Sequence, residues 1–328
     1  LRRPICNMPV SETVRVALAQ AASVDFDLEA SVEKACKLVA DAGQAGAKLI
    51  CFPETFIPGY PFWIWTRGID VNMTKRYIKN SLKHDSPEMK QICDAAAENK
   101  IEVQLGYSEN DNDSLYIAQS HIGSDGLIKM TRRKIKPTHV ERTIFGEGSG
   151  SSLLNVVDVP DVGKIGGLNC WEHTQPLLKY HTYAQGEEIH IAAWPPMMPG
   201  KDGKSPWNTT TEGQQSMSQI YAVEGSCFVL HCTGVLTQNT IDKMETHSGQ
   251  LYDTPGGGYS AVFGPDGSKL STDLAHDEEG ILYADLEMDR ITGAKIFLDT
   301  CGHYSRPDLL WLGADLTEKR HIRSNLSK

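Results

Sequence analysis

The 328-residue sequence has no long hydrophobic segment. Crossing a bilayer as a helix takes about 20 consecutive apolar residues, and no stretch approaches that length. The N-terminal segment carries charge but lacks the apolar core of a signal peptide. We therefore expect neither a membrane-spanning nor a secreted protein, and we predict a cytoplasmic location.

The sequence also lacks an excess of positive charge. Its 32 Lys and Arg residues are outnumbered by 42 Asp and Glu residues, which gives a formal net charge of -10. Nucleic acids and anionic membranes attract basic surfaces, so we expect neither as a partner. Hydrophobic residues make up 40% and charged residues 23%, which are proportions typical of a folded globular protein.

Cysteines are few and irregularly spaced. The eight cysteines form no CxxC pair, and their density is too low for a disulfide scaffold, so reduced thiols are predicted. Cys227 and Cys232 flank His231 in an apolar run that indicates a buried strand rather than a zinc site. The glycines of GEGSGSS at 146–152 lack the Lys-Ser/Thr ending of a phosphate-binding loop, so a turn is predicted there.

Strand and helix patterns alternate along the chain. Helical spacing covers about 28–45, 86–98, 175–186, 211–224 and 289–300. Apolar strand patterns are VRVALAQ, AKLICFPE, IEVQLGYSE, LYIAQSHI, LIKMTRRKI, GKIGGLNCW, EIHIAAWPP, SCFVLHCTGV, the hairpin YSAVFGPDGSKL and EGILYADLE. Prolines in IPGYPFWIW predict a shaped loop. No low-complexity linker interrupts the pattern, so it predicts one layered α/β domain.

Three reactive side chains follow predicted strands, where α/β proteins usually place their sites. They are Glu54 in FPETF, Lys134 in RRKIK and Cys170 in LNCWEH. A carboxylate can act as base for a thiol nucleophile, and an ammonium can stabilise developing negative charge. Each residue alone is weak evidence, because such a Cys is usually buried packing, and such a Glu or Lys is usually solvated.

The wording of three long segments resembles the nitrilase superfamily, and within it the nitrilase branch. These segments are FPETFIPGYPFW, RRKIKPTHVERTIFGEG and GGLNCWEHTQPLLKYHTYAQGEEIHIAAWP, in the expected order. The resemblance implies an α/β fold, a four-layer αββα sandwich in a single domain over 14–312. Residues 1–13 would be an N-terminal extension and 313–328 a C-terminal tail. It also implies a homodimer or a larger spiral homo-oligomer.

Roles follow from this resemblance position by position. Cys170 would be the nucleophile, Glu54 the general base, Lys134 the stabiliser of the tetrahedral intermediate and Glu141 a second supporting carboxylate. Lys136 matches a different position of the motif. The backbone N–H of Trp171 is a candidate second donor to the developing charge. No metal or organic cofactor is implied.

The function implied is that of a nitrilase, which converts a small organic nitrile to its carboxylic acid and ammonia through a covalent cysteine intermediate. The alternative is a cyanide hydratase that converts HCN to formamide. Fungal cyanide hydratases tend to read CWEN where this sequence reads CWEH, so His173 favours the nitrilase. An amidase and a non-catalytic assembly protein are further alternatives, disfavoured by the RKIKPTH wording and by the complete catalytic set.

The candidate substrate-binding residues are mostly bulky side chains in or near the three motifs. His173 is predicted to support the site or adjoin the substrate rather than to act as base, and Cys51 is predicted to be core. The preferred nitrile stays open, because it depends on how IPGYPFWIW and the 195–210 loop fold. The proposed substrate-binding residues are Trp171, His173, Tyr60, Trp65, Trp194 and Met197.

Overall fold

The structure is a computed structural model that describes residues 13–199, 205–319 and 322. Residues 1–12 of the predicted N-terminal extension lie outside the described residues. So do 200–204 in the predicted active-site loop, and 320, 321 and 323–328 in the predicted tail.

The first half of the described chain contributes five strands and three helices. Side-chain caps begin the helices: Asp27 accepts from the Ala30 N–H, Asp70 from Met73 and Ser86 from Met89. The elements are β1 (Thr13–Gln20), α1 (Leu28–Gln44), β2 (Leu49–Cys51), α2 (Val71–Asn80), α3 (Pro87–Asn99), β3 (Glu102–Asp111), β4 (Ser114–Ile122) and β5 (Ile128–Arg133).

The second half of the described chain contributes six strands, of which the last joins the sheet of the first half, and four helices. Its elements are β6 (Val156–Val159), β7 (Gly163–Asn169), α4 (Pro176–Tyr183), β8 (Ile189–Trp194), α5 (Thr211–Gly225), β9 (Phe228–Thr233), α6 (Gln238–Met244), β10 (Ala261–Phe263), β11 (Gly280–Glu287) and α7 (Asp289–Phe297). Short 3-10 helices cover Phe62–Trp65, His139–Thr143, Gly150–Leu153, Cys170–Thr174 and Trp207–Thr209.

The strands form two sheets with parallel centres. The six-stranded sheet has the order β11-β1-β2-β3-β4-β5, with β1, β2 and β3 parallel. The five-stranded sheet has the order β10-β9-β8-β7-β6, with β7, β8 and β9 parallel. Parallel strands end at the same edge, so the residues that follow β2 and β7 lie at the carboxyl edges of the two sheets.

Side-chain alternation on the strands explains the layers. In β1, Val16 and Leu18 pack between the sheets against residues such as Ile191, whereas Ala17 and Ala19 pack against α1. The outer face of the second sheet packs against α4 and α5. The layer order is therefore helix, sheet, sheet, helix, and the predicted four-layer α/β sandwich is confirmed.

Three elements had no counterpart among the predicted ones: α2, α6 and β6. All three are short, and α2 buries only Tyr77 fully. The predicted hairpin that begins at Tyr259 forms only its first strand, β10. The expected second strand is reduced to a single bridge between Phe263 and Lys269.

Candidate active site

The fold brings the ionisable side chains of three separate motifs together. Lys134 directly follows β5, and its Nζ lies 2.9 Å from Glu54 Oε1 and 2.8 Å from Glu141 Oε2. Glu54 follows β2, and Glu141 lies in the 3-10 helix His139–Thr143. Cys170 starts the 3-10 helix after β7 and interacts electrostatically with both Glu54 and Lys134. All four side chains are buried.

Cys170 occupies a backbone conformation that L-residues seldom adopt. Its φ is +50°, in the left-handed region, which costs energy unless the surroundings hold it. Glu172 supplies one constraint, because its carboxylate accepts a 2.8 Å hydrogen bond from the Asn169 N–H. The sharp turn presents the thiol at the end of β7 instead of letting the strand continue.

Burial and mutual charge set the protonation of this group. Burial raises the pKa of Glu54 to about 8, although Lys134 partly opposes the rise. Burial, followed by the charge of Glu54, raises the pKa of the Cys170 thiol well above its usual value. Burial disfavours the charge of Lys134, but Glu141 and Glu54 outweigh it and hold the pKa of Lys134 well above its usual value. The arrangement combines a carboxyl that exchanges its proton near neutrality with a permanent ammonium.

The two glutamates have different surroundings. Glu54 Oε2 has no hydrogen-bond partner within the described part of the chain, so it is free to exchange a proton. Glu141 is fixed by Tyr60, whose hydroxyl donates at 2.8 Å, and by the Thr138 N–H at 2.6 Å. Trp65 Nε1 in turn donates to the Tyr60 hydroxyl at 3.1 Å. Glu54 can therefore act as acid and base, whereas Glu141 anchors Lys134.

A second buried ion pair joins the motifs and was not predicted from the sequence. Arg132 Nη1 and Nη2 donate to the two oxygens of Glu172 at 2.8 and 2.7 Å. The same carboxylate accepts from the N–H groups of Ile135 and Asn169, each at 2.8 Å. Glu172 thus ties the residue after Lys134 to the residue before Cys170. The only sequence signals of this ion pair are the two arginines before Lys134 and the Glu of CWEH. The spacing of these residues along the chain does not show that they pair with each other.

A cavity of about 310 Å³ opens over Cys170. Its wall includes three of the six proposed substrate-binding residues: Tyr60, Trp65 and Trp171. The remaining lining residues are Thr138, His139, Glu141, Pro195, Pro196, Met198, Thr209, Gln214, Leu251 and Tyr252. Aromatic and aliphatic side chains make up the larger part of this lining, and five polar side chains supply the rest.

The other three proposed substrate-binding residues lie behind this wall. Trp194 ends β8 on the face that packs against α5, and its ring stacks on His173 with centroids 5.5 Å apart. Met197 Sδ meets His231 Nε2 at 3.2 Å. We therefore place His173, Trp194 and Met197 in a supporting layer. Strand alternation turns Trp194 towards α5, His173 stacks on Trp194, and none of the three lines the cavity.

Two classes of site were searched for in the described residues. Within 13–199 and 205–319, no cluster of three or more His, Cys, Asp or Glu side chains has an arrangement that could hold a metal ion. No helix in the described ranges is both long and apolar enough to cross a membrane.

Comparison with known proteins gives close relatives over almost the full chain. Residues 15–296 match the carbon-nitrogen hydrolase family. An arylacetonitrilase of Aspergillus kawachii is 56% identical over 316 residues, covering 96% of each chain. An arylacetonitrilase of Aspergillus niger is 57% identical over 312 residues, covering 95% of each chain. This similarity confirms the prediction of a nitrile-hydrolysing enzyme, a nitrilase, and nothing in it favours a cyanide hydratase.

Solved structures of distant relatives share the fold. Nit3 of Saccharomyces cerevisiae, a member of branch 10 of the nitrilase superfamily, superposes with a TM-score of 0.66 at 19% identity, covering 88% of this chain and 94% of its own. An amidase of Nesterenkonia, with the acetamide moiety of fluoroacetamide added covalently at its active-site cysteine, gives a TM-score of 0.63 at 17% identity, covering 88% and 98%. Together with the close sequence relatives, they establish that this chain belongs to the carbon-nitrogen hydrolase family.

Proposed function

We propose that this nitrilase hydrolyses arylacetonitriles, in which a CH₂ group joins an aromatic ring to the nitrile, and that Cys170 is its nucleophile. The observation that carries the proposal is the cavity over Cys170, whose volume suits a small aromatic molecule and whose wall includes Trp65, Trp171 and Tyr252. Aromatic rings pack favourably against one another, so this wall favours an aryl group. Relatives that are 50–57% identical carry the name arylacetonitrilase.

The first half of the reaction forms a covalent adduct. Glu54, with one free carboxyl oxygen, takes the proton of the Cys170 thiol, and the sulfur attacks the nitrile carbon. One C–N π bond breaks, and Glu54 returns the proton to the nitrogen, which gives a thioimidate. Lys134 and the N–H of Trp171 stabilise the negative charge that develops at nitrogen during the attack.

The second half consumes two water molecules. Glu54 removes a proton from the first water, whose oxygen adds to the thioimidate carbon to give a tetrahedral species. Protonation of its nitrogen releases ammonia and leaves a thioester on Cys170. A second water, again deprotonated by Glu54, adds to the thioester, and the carboxylic acid leaves as the thiol regains its proton.

The buried charges make this cycling of one proton feasible. The charges of Lys134 and Glu141 cancel, so these two residues together with a protonated Glu54 carry no net charge. Ionisation of Glu54 gives the three residues a net charge of one negative unit. The pKa of about 8 places both states within reach near neutrality. Glu141 takes no proton in this scheme, because Lys134, Tyr60 and the Thr138 N–H all donate to it.

A product assay tests the proposal. The enzyme is given phenylacetonitrile, an aliphatic nitrile and cyanide, and acid, amide and ammonia are measured. Arylacetic acid and equimolar ammonia from phenylacetonitrile are expected, with Cys170→Ala inactive and Cys93→Ala, a half-buried thiol outside the site, unaffected. Formamide from cyanide without acid from either organic nitrile would contradict the proposed substrate. Turnover by Cys170→Ala would contradict the covalent mechanism.

We propose in addition a homodimer or larger spiral homo-oligomer. Side chains of α7 and the chain that follows it expose apolar surface, including Phe297, Leu310 and Trp311, which supports association. Light scattering after size-exclusion chromatography is expected to give at least a dimer, and a monomer at micromolar concentration would contradict this.

The catalytic domain is proposed to span 14–312, with 313–328 as a tail, so a chain ending at residue 312 should retain nitrile turnover.

A cytoplasmic location is proposed because the described cysteines are free thiols. Cell fractionation tests it, and recovery of the protein outside the cytosolic fraction would contradict it.

A further inference from the structure

A buried chain of hydrogen bonds runs from Cys170 away from the cavity. His173 Nδ1 lies 2.6 Å from the carbonyl oxygen of Cys170, and His173 Nε2 lies 3.0 Å from His190 Nε2. His190 Nδ1 lies 2.9 Å from Glu187 Oε2, and the Tyr221 hydroxyl donates to the other oxygen of Glu187. All these side chains are buried, so water does not compete for their hydrogen bonds.

The position of each proton in this chain follows from its partners. A carbonyl oxygen can only accept, so His173 Nδ1 must carry a hydrogen. Burial, reinforced by His190, holds the pKa of His173 well below its usual value, so its ring is neutral and its Nε2 is an acceptor. His190 Nε2 must then donate. One further proton is shared between His190 Nδ1 and Glu187, and every nitrogen and oxygen in the chain is satisfied.

The contact with the Cys170 carbonyl acts on the group that faces the substrate. The carbonyl of Cys170 and the N–H of Trp171 belong to one planar trans peptide, so they point in opposite directions and turn together. Burial raises the pKa of the Cys170 thiol, and the adjacent Trp171 N–H partly opposes that rise. Holding the carbonyl from behind therefore aims the N–H at the sulfur and the reacting atoms.

We propose that His173 is a positioning residue that orients the Cys170–Trp171 peptide, and that Glu187 and His190 fix the tautomer in which it can do so. A hydrogen bond to the carbonyl also polarises the peptide and strengthens its N–H as a donor. The inference rests on the proposed role of Cys170 as nucleophile. It gives His173 a function without substrate contact, in keeping with its place outside the cavity lining.

Two amide replacements separate the two contacts of the ring. In His173→Asn the amide nitrogen can take the place of Nδ1 and still donate to the Cys170 carbonyl, whereas His190 loses its acceptor. In His173→Gln the amide reaches the Nε2 position and contacts His190, but the carbonyl loses its donor. His121→Gln is the matched control, since His121 is buried, bonds Glu102 and Gln104, and lies outside the site.

Kinetics and thiol reactivity give the expected result. His173→Gln should lower kcat roughly 10- to 100-fold with KM changed less than about 3-fold, the size expected for losing one oriented donor to developing charge. Alkylation of Cys170 by iodoacetamide should slow as well, because the weakened N–H stabilises the thiolate less. His173→Asn and His121→Gln should keep kcat within about 5-fold of the wild type.

The inference is overturned if folded His173→Gln retains wild-type kcat and alkylation rate, or if folded His173→Asn loses as much as His173→Gln. Nitrogen-15 spectra of histidine-labelled wild-type enzyme give a test that needs no variant to fold, because a neutral His173 with its hydrogen on Nε2 would also overturn it. Failure of the proposed function is distinguishable, since Cys170→Ala would then still turn over nitriles.

Discussion

Replacing Glu172 by Gln tests whether the buried ion pair with Arg132 holds the site together. Each Glu172 oxygen accepts two hydrogen bonds: Oε1 from Arg132 Nη2 and the Ile135 N–H, and Oε2 from Arg132 Nη1 and the Asn169 N–H. Gln has the same shape but presents an NH₂ group in place of one oxygen. In either orientation of the amide, two N–H donors then face a donor.

The size of the effect follows from burial. Hydrogen bonds to a charged group contribute about 1.5–3 kcal/mol each, and removing one charge of a buried pair costs about 3–5 kcal/mol. We expect the free energy of unfolding to fall by about 3–5 kcal/mol, which lowers the melting temperature by roughly 4–7 °C, since the unfolding entropy is about 2.1 cal/mol/K per residue over 328 residues. At temperatures below the melting range we also expect kcat to fall at least about 10-fold. The two N–H groups that lose their acceptor belong to Ile135, which follows Lys134, and to Asn169, which precedes Cys170, so the positions of Lys134 and Cys170 would shift.

Glu109→Gln is the matched control for this measurement. Glu109 accepts two 2.7 Å hydrogen bonds from Arg133, but that arginine is partly exposed and also pairs with Asp111 at 2.8 Å. A partly exposed pair with a second partner contributes at most about 1 kcal/mol. Thermal unfolding of both variants, with nitrile turnover, is the assay. A Glu172→Gln melting temperature within about 2 °C of the wild type, or a larger loss in the control, would refute the reasoning.

Three further predictions concern the cavity and its charges. Tyr60→Phe removes one donor to Glu141 and should lower kcat/KM about 10-fold. Tyr107→Phe, which loses a hydroxyl contact with Ser120, is the control and should leave kcat/KM unchanged. Equal kinetics for the two variants would contradict the prediction. Because burial raises the pKa of Glu54 to about 8, kcat/KM should rise with pH through that value as Glu54 becomes able to accept a proton, and a flat profile between about pH 6 and pH 9 would exclude it as the base. Trp65→Leu should raise KM for phenylacetonitrile more than for a short aliphatic nitrile, and an equal rise for both would show that Trp65 does not contact the aryl group.

Much of the fold was predictable because its central strands are short apolar runs between clear turn signals. The runs that became β1, β7, β8 and β9 are buried on both faces, and this leaves a strong composition signal. Helix α2 left little signal, since it buries only Tyr77 fully and has mixed polarity. Its start is fixed by Asp70 as a cap, a feature that also fits an ordinary turn.

The site was predictable only in part, for a geometric reason. Glu54, Lys134, Glu141 and Cys170 stand in motifs whose resemblance to the family led to their proposed roles, and the fold brings them together. Closeness along the chain did not reveal which neighbours face the cavity. His173 lies three residues after Cys170, yet the 3-10 turn carries its ring to the far side of the peptide, where it meets the Cys170 carbonyl. That direction depends on a left-handed φ that no sequence pattern displays.

The central claim, that Cys170 carries the substrate covalently, is tested most directly by mass spectrometry of enzyme quenched during turnover of phenylacetonitrile. We expect the peptide containing Cys170 to gain the mass of the nitrile as a thioimidate, or of the arylacetyl group as a thioester, and Cys170→Ala to gain neither. An adduct on another residue, or full turnover with no adduct and with Cys170 replaced, would contradict the account.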